Sequence, residues 1–259
     1  MATKLMDEYV LPTHDMHFIL EKIKKYIRSP RGFFQIVSLN PENIVIAQGN
    51  RTFKRIVKTA RMTIIDGVGI ELAARMLHIE VGERIPGVDL MNNLISLAGK
   101  TRSTVLLIGG RKNLAEDLAK CYHQTYRKAK FIGIQGYRNV RNPTQKEEKD
   151  LRMIVRAAKP QIVFAAFGSP TQEIWLEKHK SLFRGCVCMG VGGAFDYLSG
   201  RIRRPHSIIR RLGLEWLARL LKQPWRAGRQ LRLIVFAFSV IKQAIHETLE
   251  IPKSPKRSY

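Results

Sequence analysis

Short apolar runs alternate with segments of helical periodicity along most of the chain, and this alternation restricts the fold more than any other feature. Six runs have the nearly continuous apolarity of buried parallel strands, and they occupy 33–39, 62–65, 104–108, 130–134, 162–167 and 186–191. Helical patterns occupy 17–28, 41–48, 68–77, 89–98, 114–127, 144–158 and 171–180. The alternation predicts an α/β fold with a doubly wound, mostly parallel, Rossmann-like sheet that binds ligands at the carboxyl ends of its strands.

The pattern changes after about residue 200, where basic amphipathic helices replace the alternation. We therefore predict two parts, an α/β domain over residues 1–200 and a basic helical appendage over residues 201–259, with a boundary near Gly200. Within the first part, Thr144 followed by Glu147 predicts a capping box at a helix start.

The charge is strongly positive and unevenly spread. The 259 residues include 45 Lys and Arg against 21 Asp and Glu, a net charge of +24. Residues 201–259 alone hold 14 basic and three acidic side chains, a net charge of +11. Such an excess predicts an anionic partner, which could be nucleic acid, an acidic membrane surface or a phosphorylated substrate.

The appendage combines arginine with tryptophan, as around Trp216 and Trp225. On an amphipathic helix this combination suits an anionic membrane interface, although a solvated basic face is the alternative. No recognised nucleic-acid-binding motif accompanies the charge. No apolar run reaches the roughly 20 residues of a membrane span, and no signal peptide is recognised. The three cysteines lack the spacing of a zinc site, which fits a reducing cytoplasm.

Polar side chains follow the first two predicted strands at the point where each strand ends. Ser38 and Asn40 follow the first strand, where they could line a pocket or simply cap the next helix. Asp66 and Gly67 end the second strand. The Asp66 carboxylate could act as a general base towards an attacking hydroxyl, or it could cap the helix that follows.

Glycine turns follow the later strands. Gly109 follows the third strand, Gly168 opens a strand-to-helix turn with Gln172 just inside the helix, and Gly192 and Gly193 follow the sixth strand. Backbone N–H groups at such helix starts favour anionic ligands such as a diphosphate. Tight turns alone also demand glycine, so each turn by itself has a purely structural explanation.

Two further classes of chemistry are disfavoured. The segment 190–196 resembles a dinucleotide fingerprint, but Phe195 occupies its third glycine position and no acidic residue follows about 20 positions later, which argues against a nicotinamide-dependent oxidoreductase. The chain has no Asp-x-Asp pair and no His-x-x-x-His pair. We therefore expect a metal-independent protein without a cofactor.

Arg84, between two helices, could clamp a phosphate with its planar fork or lie solvated in a loop.

Seven strings in order resemble the WecG/TagA/CpsF family of bacterial glycosyltransferases, glycosyltransferase family 26. They are SLNPE (38–42), IDGVGIELAAR (65–75), ERIPGVDL (83–90), LLIGG (106–110), FGSPTQE (167–173), GVGGAFDYLSG (190–200) and LEWLARLLKQPWR (214–226).

The resemblance implies an inverting transferase that moves a sugar from a UDP-sugar to undecaprenyl-diphosphate-linked N-acetylglucosamine in cell-surface polysaccharide biosynthesis. It points to a donor of the N-acetylmannosamine or N-acetylmannosaminuronic acid type. It also implies a cytoplasmic protein that is peripheral on the inner face of the bacterial plasma membrane and is a possible homo-oligomer, without nucleic acid. The alternative is a non-catalytic basic module on a Rossmann-like fold that binds membrane or nucleic acid.

The resemblance also assigns site residues. Asp66 matches the proposed catalytic base of the family. Asn40, Arg84 and Gln172 match residues of its active-site cleft, and we expect Arg84 to act in catalysis. Ser38 stands where the family usually has threonine, and its hydroxyl is expected to keep the role.

Three arginines of the appendage match family arginines that are thought to bind the membrane and to complete the active site over the diphosphate. They are Arg219, Arg226 and Arg229.

Overall fold

The structure is a computed structural model that describes residues 4–6, 8–222, 224 and 227–250, with the backbone alone described at 211, 219, 222, 229 and 250. The strands are β1 Phe34–Leu39, β2 Met62–Ile65, β3 Thr104–Gly109, β4 Lys130–Ile134, β5 Ile162–Ala166 and β6 Val187–Gly190. The helices are α1 Met16–Arg28, α2 Pro41–Gly49, α3 Arg51–Thr59, α4 Val68–Met76, α5 Gly87–Thr101, α6 Leu114–Thr125, α7 Gln145–Ala158, α8 Thr171–Lys178, α9 Ala194–Leu198, α10 Ser207–Arg211, α11 Glu215–Lys222 and α12 Ala227–Glu250.

All six strands form one parallel sheet in the order β2-β1-β6-β5-β3-β4. The predicted Rossmann-like α/β fold is therefore confirmed. After the carboxyl end of β3 the chain continues to β4, at the edge of the sheet. After the neighbouring β5 it continues in the opposite direction, to β6 in the middle of the sheet. This divergence of two adjacent strands opens a crevice at the carboxyl edge, where doubly wound folds bind their ligands.

Helices cover both faces of the sheet and account for the unbroken apolarity of its strands. Every residue of β5 and of β6 is buried. One face packs on α1, α5, α6 and α9. On the other face, α2, α3, α4 and α12 cover β1 and β2, while α7 and α8 cover the strands beyond them. A strand enclosed on both faces has no solvent-facing positions to fill with polar side chains.

Local capping explains where several helices begin. The predicted capping box is confirmed, because the Glu147 backbone N–H donates to Thr144 Oγ1 at 3.2 Å and the Thr144 N–H donates to Glu147 Oε2 at 2.7 Å. Helix α3 was not predicted. It starts after Asn50, whose side chain accepts the backbone N–H of Phe53 at 2.9 Å.

The appendage packs against the α/β body. Phe236 and Val240 of α12 are 4% and 3% exposed and belong to the core formed with β1 and β2. Arg232 of the same helix pairs with Glu42 at 2.6 Å.

The boundary near Gly200 stays a prediction. In the part of the chain that the structure describes, no helix is both long enough and apolar enough to cross a bilayer.

Candidate active site

A cavity of about 810 Å³ lies at the carboxyl edge of the sheet. The turns after β1, β2, β3, β5 and β6 line it, together with α4 and parts of α10, α11 and α12. The structure brings most of the predicted site residues together in this one cavity. They are Ser38, Asn40, Asp66, Gly67, Arg84, Gly168, Gln172, Gly192 and Gly193.

Asp66 sits where β2 ends and is partly exposed to the cavity. Its backbone N–H donates to the Leu39 carbonyl at 2.9 Å, which continues the pairing of β2 with β1. Its Oδ1 atom accepts the backbone N–H of Gly87 at 3.0 Å. The carboxylate therefore does not cap the helix that follows it, since α4 has Gly67 at its N-cap and no side-chain cap. It is oriented by the first residue of α5 instead.

Burial raises the pKa of Asp66 to about 6, and the carboxylates of Glu215 and Asp89 push it in the same direction. The Gly87 N–H and the guanidinium of Arg204 oppose the shift. A carboxylate with this pKa is a stronger base than an ordinary aspartate, yet it is still mostly ionised at neutral pH. A carboxyl group with this pKa suits the role of a general base.

Ser38 shares a wall of the cavity with Asp66. A Cβ atom on Gly87 would lie 3.5 Å from Ser38 Oγ and 3.5 Å from Asp66 Oδ2. The two oxygens therefore flank the same glycine. Asn40 combines the two roles that the sequence left open, because it lines the cavity and its Oδ1 accepts the Asn43 N–H as the cap of α2 at 2.8 Å.

Arg84 is anchored rather than solvated. Its Nε lies 3.1 Å from Glu71 Oε2, and its Nη2 donates to the carbonyl of Arg210 at 3.1 Å. Glu71 belongs to α4 and Arg210 to α10, so Arg84 joins the α/β body to the appendage at the rim of the cavity.

Gln172 holds two of the glycine turns together. Its Oε1 accepts the N–H of Gly168 at 3.1 Å and the N–H of Gly192 at 2.9 Å, and its Nε2 donates to Glu173 Oε1 at 2.7 Å. The expectation that the N–H groups of these two turns face an anionic ligand is therefore wrong for Gly168 and Gly192, because a buried side chain already accepts both. Burial raises the pKa of Glu173, and the bond from Gln172 opposes that shift.

The sequence predicted Gly109 as a binding residue, but the structure places its neighbour in the lining of the cavity. Gly109 has a φ of +92°, and a Cβ there would lie 2.7 Å from the ring of Phe167, so it serves packing behind the cavity. The neighbouring Gly110 lines the cavity instead. Gly67 is required for packing as well, since its Cβ would lie 2.9 Å from Pro41 Cδ.

A charge cluster beside the candidate base was not predicted from the sequence. Arg204 binds Asp89 with both Nη atoms, and the Nη2–Oδ2 contact is 2.9 Å. Its Nε also lies 3.4 Å from Glu215. Burial opposes the charge on Arg204, but the two carboxylates more than offset it and raise its pKa. Asp89 and Glu215 belong to two of the family-like strings, but nothing in those strings indicates that one arginine joins them.

The roles of the appendage arginines and the expected independence of metal ions stay predictions. Arg226 lies outside the described residues, and the side chains of Arg219 and Arg229 lie outside them as well. The described residues contain no group of three or more His, Cys, Asp or Glu side chains placed to hold a metal.

The doubly wound parallel sheet, with a candidate base in a cavity at its carboxyl edge, defines a Rossmann-like α/β protein with a ligand site in the usual place for this fold. The chain belongs to the WecG/TagA/CpsF family of glycosyl transferases, whose family model matches residues 8–249. The resemblance predicted from the seven strings is confirmed, and the protein is a glycosyltransferase.

Curated relatives match over most of their length. A protein of Bacillus subtilis (strain 168) is 30% identical over 90% of this chain and 88% of its own. A protein of Bacillus spizizenii (strain ATCC 23059 / NRRL B-14472 / W23) is 31% identical over 84% of this chain and 82% of its own. One of Staphylococcus aureus (strain MW2) is 28% identical over 86% of each chain. All three are named N-acetylglucosaminyldiphosphoundecaprenol N-acetyl-beta-D-mannosaminyltransferase.

Proposed function

We propose that this protein transfers an N-acetylmannosamine-type sugar from a UDP-sugar to N-acetylglucosaminyl-diphosphoundecaprenol, with inversion at the anomeric carbon. The observation that carries the proposal is the Asp66 carboxylate, which faces a cavity of about 810 Å³ and has a pKa raised to about 6. The names of the relatives supply the acceptor and the sugar. The same reaction would place the protein in cell-wall polymer biosynthesis.

Asp66 acts as the general base in this mechanism. It takes the proton from the 4-hydroxyl of the acceptor sugar while that oxygen bonds to the anomeric carbon of the donor. The bond from that carbon to the UDP oxygen breaks on the opposite face, and UDP leaves with the electron pair. A single displacement of this kind inverts the anomeric centre and needs one base rather than a carboxylate nucleophile.

The leaving diphosphate requires positive charge or N–H donors, which can each contribute roughly 3–4 kcal/mol when preorganised. Arg84 lines the cavity beside the end of β2, where it would contact the diphosphate at the point at which donor and acceptor meet. Arg219, Arg226 and Arg229 are the further candidates that the family resemblance supplies. With these groups in place the reaction proceeds without a metal ion or cofactor.

The donor is proposed to bind at the turns after β3, β5 and β6, because the divergence of β3 from β5 opens the sheet there. Gly110 and Gly193 line that part of the cavity without a bulky side chain. This leaves the side of the cavity near β2 for the acceptor.

The protein is proposed to act in the cytoplasm, on the anionic inner face of the plasma membrane. Helices α10 and α11 present exposed apolar side chains within the most basic part of the chain, which suits an interfacial position. They are Ile208 of α10, Leu212 at its C-cap, and Leu217 and Leu221 of α11. Self-association into a homo-oligomer would compete for the same surface.

The test is UDP release by the purified protein, with a panel of UDP-sugars and a soluble lipid-diphosphate-N-acetylglucosamine acceptor, with and without EDTA. We expect release that depends on the acceptor, that is largest with UDP-N-acetylmannosamine and that EDTA leaves unchanged. Absence of release with every donor would reject the proposed reaction. Loss of release in EDTA would reject metal independence alone.

A further inference from the structure

One arm of the active-site cavity is apolar. It runs between α4 and α12, and we call it the apolar groove. Leu72 and Met76 of α4 form one wall, and Leu233, Ala237 and Ile241 of α12 form the other. Several of these side chains are open to solvent, with Leu72 57% and Met76 52% exposed. All five line the same cavity as Asp66.

The groove leads away from the candidate base. Helix α4 begins two residues after Asp66, and Val68, Leu72 and Met76 follow one another at intervals of four, which places them along one face of the helix. From Val68 to Met76 this row covers about 12 Å at the helical rise of about 1.5 Å per residue. The row therefore joins the chemical end of the cavity to the protein surface.

The opposite wall has the same periodicity and is firmly held. Leu233, Ala237 and Ile241 also recur at intervals of four along α12. Their neighbours Phe236 and Val240 are buried in the core and close the floor. The groove is therefore bounded by two helices whose inner faces are packed.

We propose that the apolar groove holds the first isoprene units of the lipid-linked acceptor, next to its diphosphate. This inference rests on the proposed function. The acceptor must present a sugar hydroxyl at Asp66 while its lipid chain extends into a bilayer. The cavity matches that polarity, since Ser38, Asn40 and Asp66 line it near the start of α4 and the apolar groove follows α4 towards its last residue, Met76.

An isoprenoid fits the groove better than a protein segment does. A peptide would bring backbone N–H and C=O groups into contact with the five apolar side chains of the groove, which offer no hydrogen-bond partners, and leaving those groups unpaired is costly. An isoprenoid has no such groups, and a row of about 12 Å along α4 accommodates a few isoprene units. Its burial there also removes Leu72 and Met76 from water, which is favourable.

The groove would then take part in substrate selection. The enzyme would distinguish acceptors by the apolar chain next to the diphosphate, independently of whether that chain is embedded in a membrane. The KM for the acceptor should fall as the chain lengthens and then level off once the groove is full.

The experiment uses the purified full chain without membranes or detergent micelles. Acceptors carry N-acetylglucosamine diphosphate on chains from a methyl group to a farnesyl group, below their critical micelle concentrations. For the wild type we expect KM to fall by on the order of tenfold or more along the series, because burial of a few methylene groups changes a binding constant by that factor. The double variant Leu72→Ser, Met76→Ser should lose most of this gradient while keeping the donor KM.

Phe238→Ser is the matched control. Phe238 is 70% exposed on α12, and it lies outside the lining of the cavity, so its loss should leave the gradient intact. Folding of each variant is followed by its melting temperature and by binding of UDP.

Each other outcome overturns the inference in a recognisable way. A gradient that persists in the double variant, or that is lost equally in Phe238→Ser, would exclude the groove as the chain site. A change of oligomeric state in the double variant, with the gradient intact, would identify the groove as a contact between copies of the chain. A wild type that transfers sugar to every acceptor with equal KM rejects the groove alone, whereas a wild type that transfers to none rejects the proposed function with it.

Discussion

Asp66 Oδ1 lies 3.0 Å from the backbone nitrogen of Gly87, so the first residue of α5 orients the candidate base. The second oxygen, Oδ2, faces the same glycine as Ser38 Oγ. One oxygen is thus fixed by the backbone and the other is available on the side of the serine hydroxyl.

Replacing Asp66 by Asn should reduce kcat by about 10²–10⁴-fold, because the amide keeps the shape and the bond from Gly87 but does not take up the proton. Binding of UDP should change little. The measurement is steady-state UDP release together with calorimetric titration of UDP. Asp150→Asn is the control, since Asp150 lies on α7 and outside the lining of the cavity. A kcat near the wild-type value in Asp66→Asn would remove Asp66 from the mechanism.

The rate should depend on the protonation of Asp66. Since only the ionised carboxylate accepts a proton and its pKa is about 6, kcat/KM should rise with pH up to about 6 and level off above it. Arg204→Gln should move this limb to higher pH, because Arg204 lowers the pKa of Asp66. Glu215→Gln should move it to lower pH, because Glu215 raises that pKa. Identical pH profiles in wild type and both variants would contradict the assignment of the limb.

Stability should show the opposite pH dependence. The pKa of Asp66 is raised in the folded state, so the folded protein binds the proton more tightly than the unfolded chain does. Protonated Asp66 therefore adds to the free energy of unfolding at pH 4 and below, and this contribution is lost as the pH rises through about 6. Asp66→Asn should therefore increase the free energy of unfolding at pH 8 by up to about 3 kcal/mol, and the gain should vanish near pH 4. Denaturant titrations at the two pH values measure it, and an equal effect at both would refute the linkage.

Gln172→Ala should lower both stability and turnover. It leaves the half-buried N–H groups of Gly168 and Gly192 without their acceptor, which should cost about 1–3 kcal/mol. The two turns should then shift, and kcat should fall on the order of 10–100-fold. Gln161→Ala is the control, because Gln161 accepts one backbone N–H, that of Thr104, at the other end of the strands. If Gln161→Ala lowered kcat as strongly, the loss would reflect stability alone.

The proposed membrane role of the appendage is testable through charge. Alanine at Arg219, Arg226 and Arg229 together should weaken binding to anionic liposomes by on the order of 100-fold, since each basic residue near such a surface contributes about 1 kcal/mol. Co-sedimentation with vesicles measures the affinity.

The control for that variant removes the same charge from exposed positions of α7, at Lys146, Lys149 and Arg156. It should bind liposomes like the wild type. Equal losses in both variants would mean that net charge, rather than the appendage, controls membrane binding.

The strands were predictable because each is a short apolar run bounded by turn residues. The prediction for β2, 62–65, matches Met62–Ile65, since Asp66 and Gly67 mark its end. Helix α3 was missed although Phe53, Ile56 and Val57 have helical spacing. It is only nine residues long and follows α2 directly through Asn50.

The positions of the site residues were predictable, but some of their partners were not. Gln172 was expected just inside the helix after β5, where its amide could have faced a ligand, and only the approach of the turn 20 residues later shows that its oxygen binds the Gly192 N–H instead. Arg204 and Asp89 are 115 residues apart, so their pairing depends on how the appendage folds back. Local sequence patterns do not encode such long-range contacts.

Helix α12 supplies one wall of the cavity, and this has a consequence for biosynthesis. The ribosome makes every strand of the sheet, and the candidate base with it, before it makes α12. A nascent chain can therefore complete its sheet while the cavity still lacks a side and stands open to water. Competence for transfer would arise only when α12 emerges from the exit tunnel and docks on α2 and α4, which separates the time of folding from the time of activity.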